Sequence, residues 1–167
     1  MDLQIIENYF EIKTDWQSVL NLLYEQSDAK TNRLWIKIKE RKPFNHIPEL
    51  KSFCQKLNSD YGGKYVENCI FNQDFSEGRC NCPAIWHIDG PVISLGKDHI
   101  SKHKDTSDAA YIQILGRSFW NLDGQNVVLN PSDIMFLPKT ISHEVWGEGP
   151  RFGVLLFAID ESKKISL

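Results

Sequence analysis

The chain has 167 residues, a length typical of one domain with a core of ordinary size. Hydrophobic residues make up 41% and charged residues 25%, which excludes an intrinsically disordered chain. The formal net charge of -3 provides no broad basic surface for nucleic acid, and no apolar run reaches the roughly 20 residues that cross a bilayer. The first residues are acidic where a secretory signal is basic. We therefore expect a cytoplasmic protein with neither nucleic acid nor a membrane as partner.

The first third of the chain combines helical and strand patterns. TDWQSVLNLLYEQ, residues 14–26, places apolar side chains on one helical face. RLWIKIKE, residues 33–40, alternates like a strand, and a second helical pattern lies within residues 47–63. These patterns predict a helix-containing N-terminal support over residues 1–63.

From residue 64 onward the chain consists of short strand patterns separated by turn residues. The patterns are KYVENCIF, AIWHID, AAYIQILG, SFWNL, NVVLN, DIMFLP, SHEVW and RFGVLLFAI. Many short strands with Gly, Pro, Asn and Asp between them indicate a sandwich or barrel. With no repeat and no linker in the sequence, we predict a single domain over residues 1–167 with a β core at 64–160. The polar segment GKDHISKHKDTSD, residues 96–108, is interpreted as a surface loop or as a lid over a site.

A histidine and an aspartate stand two positions apart in CNCPAIWHIDG. Side chains two apart in a strand point to the same face, about 6–7 Å apart along the backbone, so His87 and Asp89 are placed to bind one small cation. A third ligand must come from elsewhere, and His143 is the candidate because it opens a strand after an NPSD turn and a hydrophobic strand. Two histidines and one carboxylate suit non-haem Fe(II), with positions left for a co-substrate and oxygen. The alternative for His87 alone is a hydrogen-bonded core histidine.

An arginine opens the last predicted strand, eight positions after His143. Arg151 shares a strand face with Gly153, which would leave room for a ligand. An arginine next to a metal-bearing strand is suited to a bidentate pair with a carboxylate. The alternative is a surface arginine at the start of a strand.

The other histidines and cysteines have simpler interpretations. His99 and His103 lie four apart in the polar segment, where a helical turn would let them bind metal, but we interpret the segment as solvated. Cys80 and Cys82 form a CxC without the second pair that structural zinc usually has, so we expect thiols near the site entrance and leave a metal contact open. Cys54 fits an apolar helical face and is predicted to be a core residue.

Residues 64–159 resemble the 2-oxoglutarate- and Fe(II)-dependent oxygenases. WHID is similar to the family's HxD segment, and LNPSDIMFLPKTISHEVW is similar to Jumonji C enzymes, where a Pro-Gly-Asp turn precedes the distal histidine. Ser132 stands in place of the usual glycine, and HEV followed by RFGVLLFAI is more similar to the prolyl-hydroxylase branch. The resemblance implies a mainly β fold, a double-stranded β-helix (jelly roll, cupin-like) with the N-terminal helices packed on the sheet.

The resemblance also implies an Fe(II)- and 2-oxoglutarate-dependent dioxygenase, with His87, Asp89 and His143 as metal ligands and catalytic centre. Such an enzyme uses molecular oxygen to hydroxylate a C–H bond of a small molecule or of a peptide or protein side chain, and it releases succinate and CO2. One alternative is a cupin-type isomerase or dioxygenase that does not use 2-oxoglutarate, although its usual HxH-plus-Glu pattern is absent. The other is a non-enzymatic cupin-like binding module, for which we would expect a ligand to be missing.

Two residues are implied as contacts of the co-substrate. Arg151 resembles the arginine that follows the distal histidine and binds the far carboxylate of 2-oxoglutarate, and Asn72 stands roughly where some members place a polar group. Jumonji-type enzymes often use a basic residue two positions after the glycine of the Gly-Arg turn. Because Ser118 stands at that position, Arg117 is the fallback for Arg151.

Overall fold

The structure is a computed structural model that describes residues 1–26, 48–61 and 85–158, without the side chains of 22–26, 48–51 and 88–91. Several predictions lie outside the described residues. They are the strand at residues 33–40, the strand KYVENCIF, the co-substrate contact of Asn72 and the thiols of Cys80 and Cys82. The predicted domain limits likewise stay predictions.

Both predicted helices are present. The helix α1 spans Trp16–Gln26 and α2 spans Pro48–Asp60. Asp15 caps α1, since its Oδ1 accepts a hydrogen bond from the Ser18 backbone N–H at 2.8 Å. No helix within the described ranges is long and apolar enough to cross a membrane.

Nine strands lie within the described residues. They are β1 (Gln4–Ile6), β2 (Trp86–Ser94), β3 (Asp98–His103), β4 (Ala109–Leu115), β5 (Ser118–Leu122), β6 (Gln125–Leu129), β7 (Ile134–Leu137), β8 (His143–Gly147) and β9 (Arg151–Ala158). The strand β3 corrects the interpretation of residues 96–108 as a loop or lid at positions 98–103, whereas 96–97 and 104–108 do lie outside the strands. It is an edge strand with mostly exposed side chains, so it needs few apolar residues and its sequence resembles a loop.

The strands form two antiparallel sheets. One has the order β1-β7-β4-β9-β2 and the other β3-β8-β5-β6. From β2 onward the chain passes repeatedly between the two sheets, and this pairing is that of a double-stranded β-helix. The predicted mainly β, cupin-like jelly roll is therefore confirmed.

The described part of the chain contains two apolar clusters. The helices pack on the outer face of the five-stranded sheet, where Val19, Phe53 and Leu57 meet residues such as Phe136. The barrel interior lies between the two sheets and contains the second cluster. Its buried residues are Ala109, Tyr111, Trp120, Leu122, Leu129, Met135, Leu137 and Val145. Cys54 is 1% exposed in the outer cluster, as predicted, and burial raises the pKa of its thiol to about 12.

A buried asparagine joins α2 to the start of β2. The Asn58 Oδ1 accepts hydrogen bonds from the backbone N–H groups of Ile85 and Trp86, at 2.8 and 2.9 Å. Its Nδ2 donates to the backbone carbonyls of Cys54 and Trp86, at 3.0 and 3.2 Å. Within the described residues β2 pairs with β9 alone, and these bonds give partners to backbone groups at the start of β2.

Candidate metal centre

Three ligand-type side chains converge where β3 and β8 run side by side. His103 ends β3, Asp105 follows two positions later, and His143 opens β8 opposite His103 in the register. The His103 Nε2 lies 3.8 Å from Asp105 Oδ1, and the His143 Nε2 lies 3.6 Å from Asp105 Oδ2. Their ligand atoms all lie within 4.8 Å of one another, so among the described side chains these three are placed to hold one metal ion.

Backbone carbonyls orient both imidazole rings. The Nδ1 of His103 lies 2.8 Å from the carbonyl oxygen of Ser101, and the Nδ1 of His143 lies 3.3 Å from that of Ile141. A carbonyl only accepts hydrogen bonds, so each Nδ1 carries the proton and donates it. In the neutral form of each ring the lone pair is then on Nε2, which faces Asp105. Metal-binding histidines are usually fixed by such a bond from the other ring nitrogen.

Burial perturbs two of the three side chains. The side chain of His143 is 4% exposed, that of Asp105 15% and that of His103 41%, so the cluster opens to solvent on the His103 side. Burial raises the pKa of the Asp105 carboxyl, although the two histidines oppose it. Burial also lowers the pKa of His143, against the attraction of Asp105. A neutral imidazole beside a carboxylate that lacks full solvation is a site that a cation would stabilise.

The donor set fits Fe(II). Two imidazole nitrogens and one carboxylate oxygen are the set that non-haem Fe(II) centres use, and that set leaves the remaining coordination positions open. The carboxylate also offsets part of the charge of a divalent ion.

Of the predicted ligands, His143 lies in this cluster. His87 lies on β2 in the other sheet, 1% exposed and opposite Phe157 in the register, and it is not a member of the cluster. A β-bulge between Ile88 and Gly90 interrupts the alternation from which a common face for His87 and Asp89 was predicted. The Asp89 side chain lies outside the description, and the metal roles of His87 and Asp89 stay predictions.

The candidate ligands that sequence analysis missed are His103 and Asp105. The tripeptide His103-Lys104-Asp105 has the same H-x-D spacing as His87-Ile88-Asp89, and that spacing was the available signal. The polar residues around it favoured a solvated loop; His103 is indeed exposed, but it lies at the end of a strand and not in a loop.

Arg151 is buried in the barrel, not on the surface. Its side chain is 0% exposed and forms a bidentate ion pair with Asp98, Nε to Oδ1 at 3.0 Å and Nη2 to Oδ2 at 2.5 Å. The Nη1 lies 3.5 Å from the Tyr111 hydroxyl. Burial opposes the charge, but Asp98 and Tyr111 outweigh it and raise the pKa of Arg151. Arg117, the fallback, is exposed.

Two aromatic rings connect the Arg151 pair to the metal cluster. The ring centroids of Tyr111 and Trp120 are 5.0 Å apart, and those of Trp120 and His143 are 5.9 Å apart. Burial raises the pKa of Tyr111, so its hydroxyl stays protonated at neutral pH. The interior therefore offers a polar end at Arg151, an aromatic middle and the ligand cluster at the rim.

No protein-family model matches the chain, and no curated protein matches it. Among solved structures, it is similar to a cupin superfamily protein from Desulfitobacterium hafniense, at 21% identity and a TM-score of 0.40, over 42% of this chain and 64% of that one. It is similar to KdgF from Halomonas sp., at 19% identity and a TM-score of 0.39, over 43% of this chain and 68% of that one. It is also similar to YcfD, a ribosomal oxygenase from Escherichia coli, at 20% identity and a TM-score of 0.38, over 55% of this chain and 26% of that one.

The fold assignment rests on the strand pairing itself. The pairing defines a cupin-type jelly roll, and the convergence of His103, Asp105 and His143 adds a candidate metal site of two histidines and one carboxylate.

Proposed function

We propose that the chain is a non-haem Fe(II)-dependent oxygenase whose ligands are His103, Asp105 and His143. The observation that carries this proposal is the convergence of their ligand atoms within 4.8 Å, with each histidine presenting Nε2. Bound Fe(II) would supply the activation of molecular oxygen. The chain would orient the ligands through the carbonyls of Ser101 and Ile141.

The barrel interior would receive the reacting groups. Trp120 packs against His143 and is 4% exposed, so it excludes water on the inner side of the cluster. The His103 side faces solvent and gives access to a substrate. We propose a small molecule or a peptide or protein side chain as substrate, hydroxylated at a C–H bond, in a cytoplasmic enzyme.

We further propose 2-oxoglutarate as the co-substrate, with release of succinate and CO2. Arg151 supports this proposal because it places a guanidinium in the same interior as the cluster, where its Nη1 donates to the Tyr111 hydroxyl. Asn72 remains part of the proposal as a second contact.

A second candidate is a cupin-type metalloenzyme that uses the same ligands without 2-oxoglutarate. The Asp98–Arg151 pair favours it, because the bidentate edge of the arginine is already occupied and its side chain is 0% exposed. A carboxylate co-substrate would have to displace Asp98 to bind there in the same way.

Metal titration tests the proposed ligands. The variants His103→Ala and His143→Ala should weaken Mn(II) binding, measured by calorimetry, by more than about 100-fold, because losing a ligand costs more than losing the group that orients it. His99→Ala is the matched control, since His99 lies on the same strand with a 57% exposed side chain. His87→Ala separates the two ligand sets: unchanged affinity supports the cluster, whereas loss of binding in His87→Ala with retention in His103→Ala would overturn it.

Anaerobic titration separates the two candidates. A visible absorption band on adding 2-oxoglutarate to the Fe(II)-loaded protein supports the first candidate. Metal binding without such a band supports the second. No metal binding at all would leave a non-enzymatic jelly roll as the remaining explanation.

A further inference from the structure

The buried Asp98–Arg151 ion pair lies where two glycines leave room for it. A Cβ at Gly147 would lie 2.5 Å from Asp98 Oδ1 and 2.9 Å from Arg151 Cδ, and a Cβ at Gly153 would lie 2.1 Å from the Tyr111 hydroxyl. Glycines at these two strand positions therefore make room for the carboxylate, the guanidinium and the phenol together.

Stability alone does not explain such a pair. Removing two charges from water is unfavourable, and buried ion pairs replaced by apolar residues often leave a protein equally stable. The geometry is that of carboxylate recognition: parallel N–H groups of a guanidinium facing the oxygens of one carboxylate. Asp98 supplies that carboxylate from within the chain.

Of the two residues in the ion pair, Asp98 is the one placed to move away from its partner. It is the first residue of β3, at the sheet edge, and it follows a turn in which Leu95 is 41% exposed and a Cβ at Gly96 would meet nothing within 4 Å. Arg151 lies on β9, which is paired on both sides, by β4 and β2.

We propose that the Arg151 guanidinium, whose Nη1 donates to the Tyr111 hydroxyl, is an anion subsite that the chain fills with its own Asp98, and that Asp98 thereby determines which carboxylates bind in the barrel. While Asp98 is paired with Arg151 the subsite has no net charge, so a free carboxylate binds there only weakly. Without the Asp98 carboxylate, a buried guanidinium would be left uncompensated, and a small carboxylate would take its place. The existence of the subsite does not depend on the proposed function. Only the prediction for 2-oxoglutarate binding rests on it.

Chemical rescue tests the subsite in metal-free protein. Asp98→Ala should be destabilised and should regain stability on adding formate, with the melting temperature rising about 3–5 °C for each tenfold excess of formate over its Kd. Chloride at equal ionic strength and neutral acetamide should not give this rise. The wild type should show no formate-specific shift, nor should the double variant Asp98→Ala/Arg151→Met. If Asp98→Ala does not fold in chloride, refolding should succeed in formate.

Two results would overturn the proposal. One is the absence of any formate-specific gain in melting temperature or refolding yield for Asp98→Ala, and the other is an equal gain in the wild type. The experiment contains EDTA, so its failure is distinct from a failure of the metal-centre proposal. In Mn(II)-loaded protein, Asp98→Ala should bind 2-oxoglutarate at least about tenfold tighter than wild type, because Asp98 no longer competes for Arg151. A tenfold change in affinity corresponds to about 1.4 kcal/mol. Weaker binding would instead make Asp98 a support that positions Arg151, and would refute its role as an occupant.

Discussion

Replacing Asn58 by alanine should cost a large part of the stability of this fold. Asn58 is 0% exposed, and its amide accepts from two backbone N–H groups and donates to two carbonyls. The Ile85 N–H is half-buried and can turn to water, but the Trp86 N–H and carbonyl belong to a residue that is 3% exposed. Each buried group left unsatisfied costs about 1–3 kcal/mol, so the two together cost about 2–6 kcal/mol. A whole domain is stable by only about 5–15 kcal/mol.

Urea unfolding followed by fluorescence measures this loss. Gln55→Ala is the matched control, because Gln55 is exposed on the same helix and should change the free energy of unfolding by less than about 0.5 kcal/mol. Metal affinity should not change, since Asn58 contacts β2 and not the strands that carry the cluster. If Asn58→Ala lowers the free energy of unfolding by less than about 1 kcal/mol, water replaces the amide. That result would refute the argument that the Trp86 N–H and carbonyl are left unsatisfied.

Three further outcomes follow from the backbone, the interior and the cluster. Ser132 has a φ of 79°, so Ser132→Gly should stabilise the protein by about 1 kcal/mol, seen as a rise of about 2–4 °C in melting temperature; a lower melting temperature would contradict this. Gly153→Ala should destabilise by more than about 1 kcal/mol, because its Cβ would overlap the hydroxyl and Cζ of Tyr111 and the Ile112 carbonyl, and the cost should shrink in a Tyr111→Ala background; an equal cost in both would exclude the overlap with Tyr111. Metal affinity should fall as the pH is lowered, and the fall should begin at a higher pH than an ordinary carboxyl would give, because burial raises the pKa of Asp105 and a proton then competes with the metal; a flat profile in calorimetry would refute it.

The local pattern of apolar and polar residues was enough to predict most of the helices and strands. Helical periodicity located α1 and α2, and alternation located the apolar strands of the barrel. Each of these elements buries one face, and burying a face requires apolar residues at a fixed period. The two short or polar elements, β1 and β3, have no such requirement along most of their length, and the sequence did not reveal them.

Which H-x-D tripeptide faces His143 was decided by tertiary structure alone. His87-Ile88-Asp89 lies in an apolar strand and looked the better candidate, whereas His103-Lys104-Asp105 lies in a polar edge strand. Local sequence cannot choose between them, because coordination depends on which strand pairs with β8, and β3 does so while β2 pairs with β9 in the other sheet. The same holds for Asp98 and Arg151, which are 53 residues apart and meet only when the two sheets close. The candidate site lies beside an exposed edge of the sheet, where side chains in solvent need no apolar period, and this is why its sequence resembles a loop.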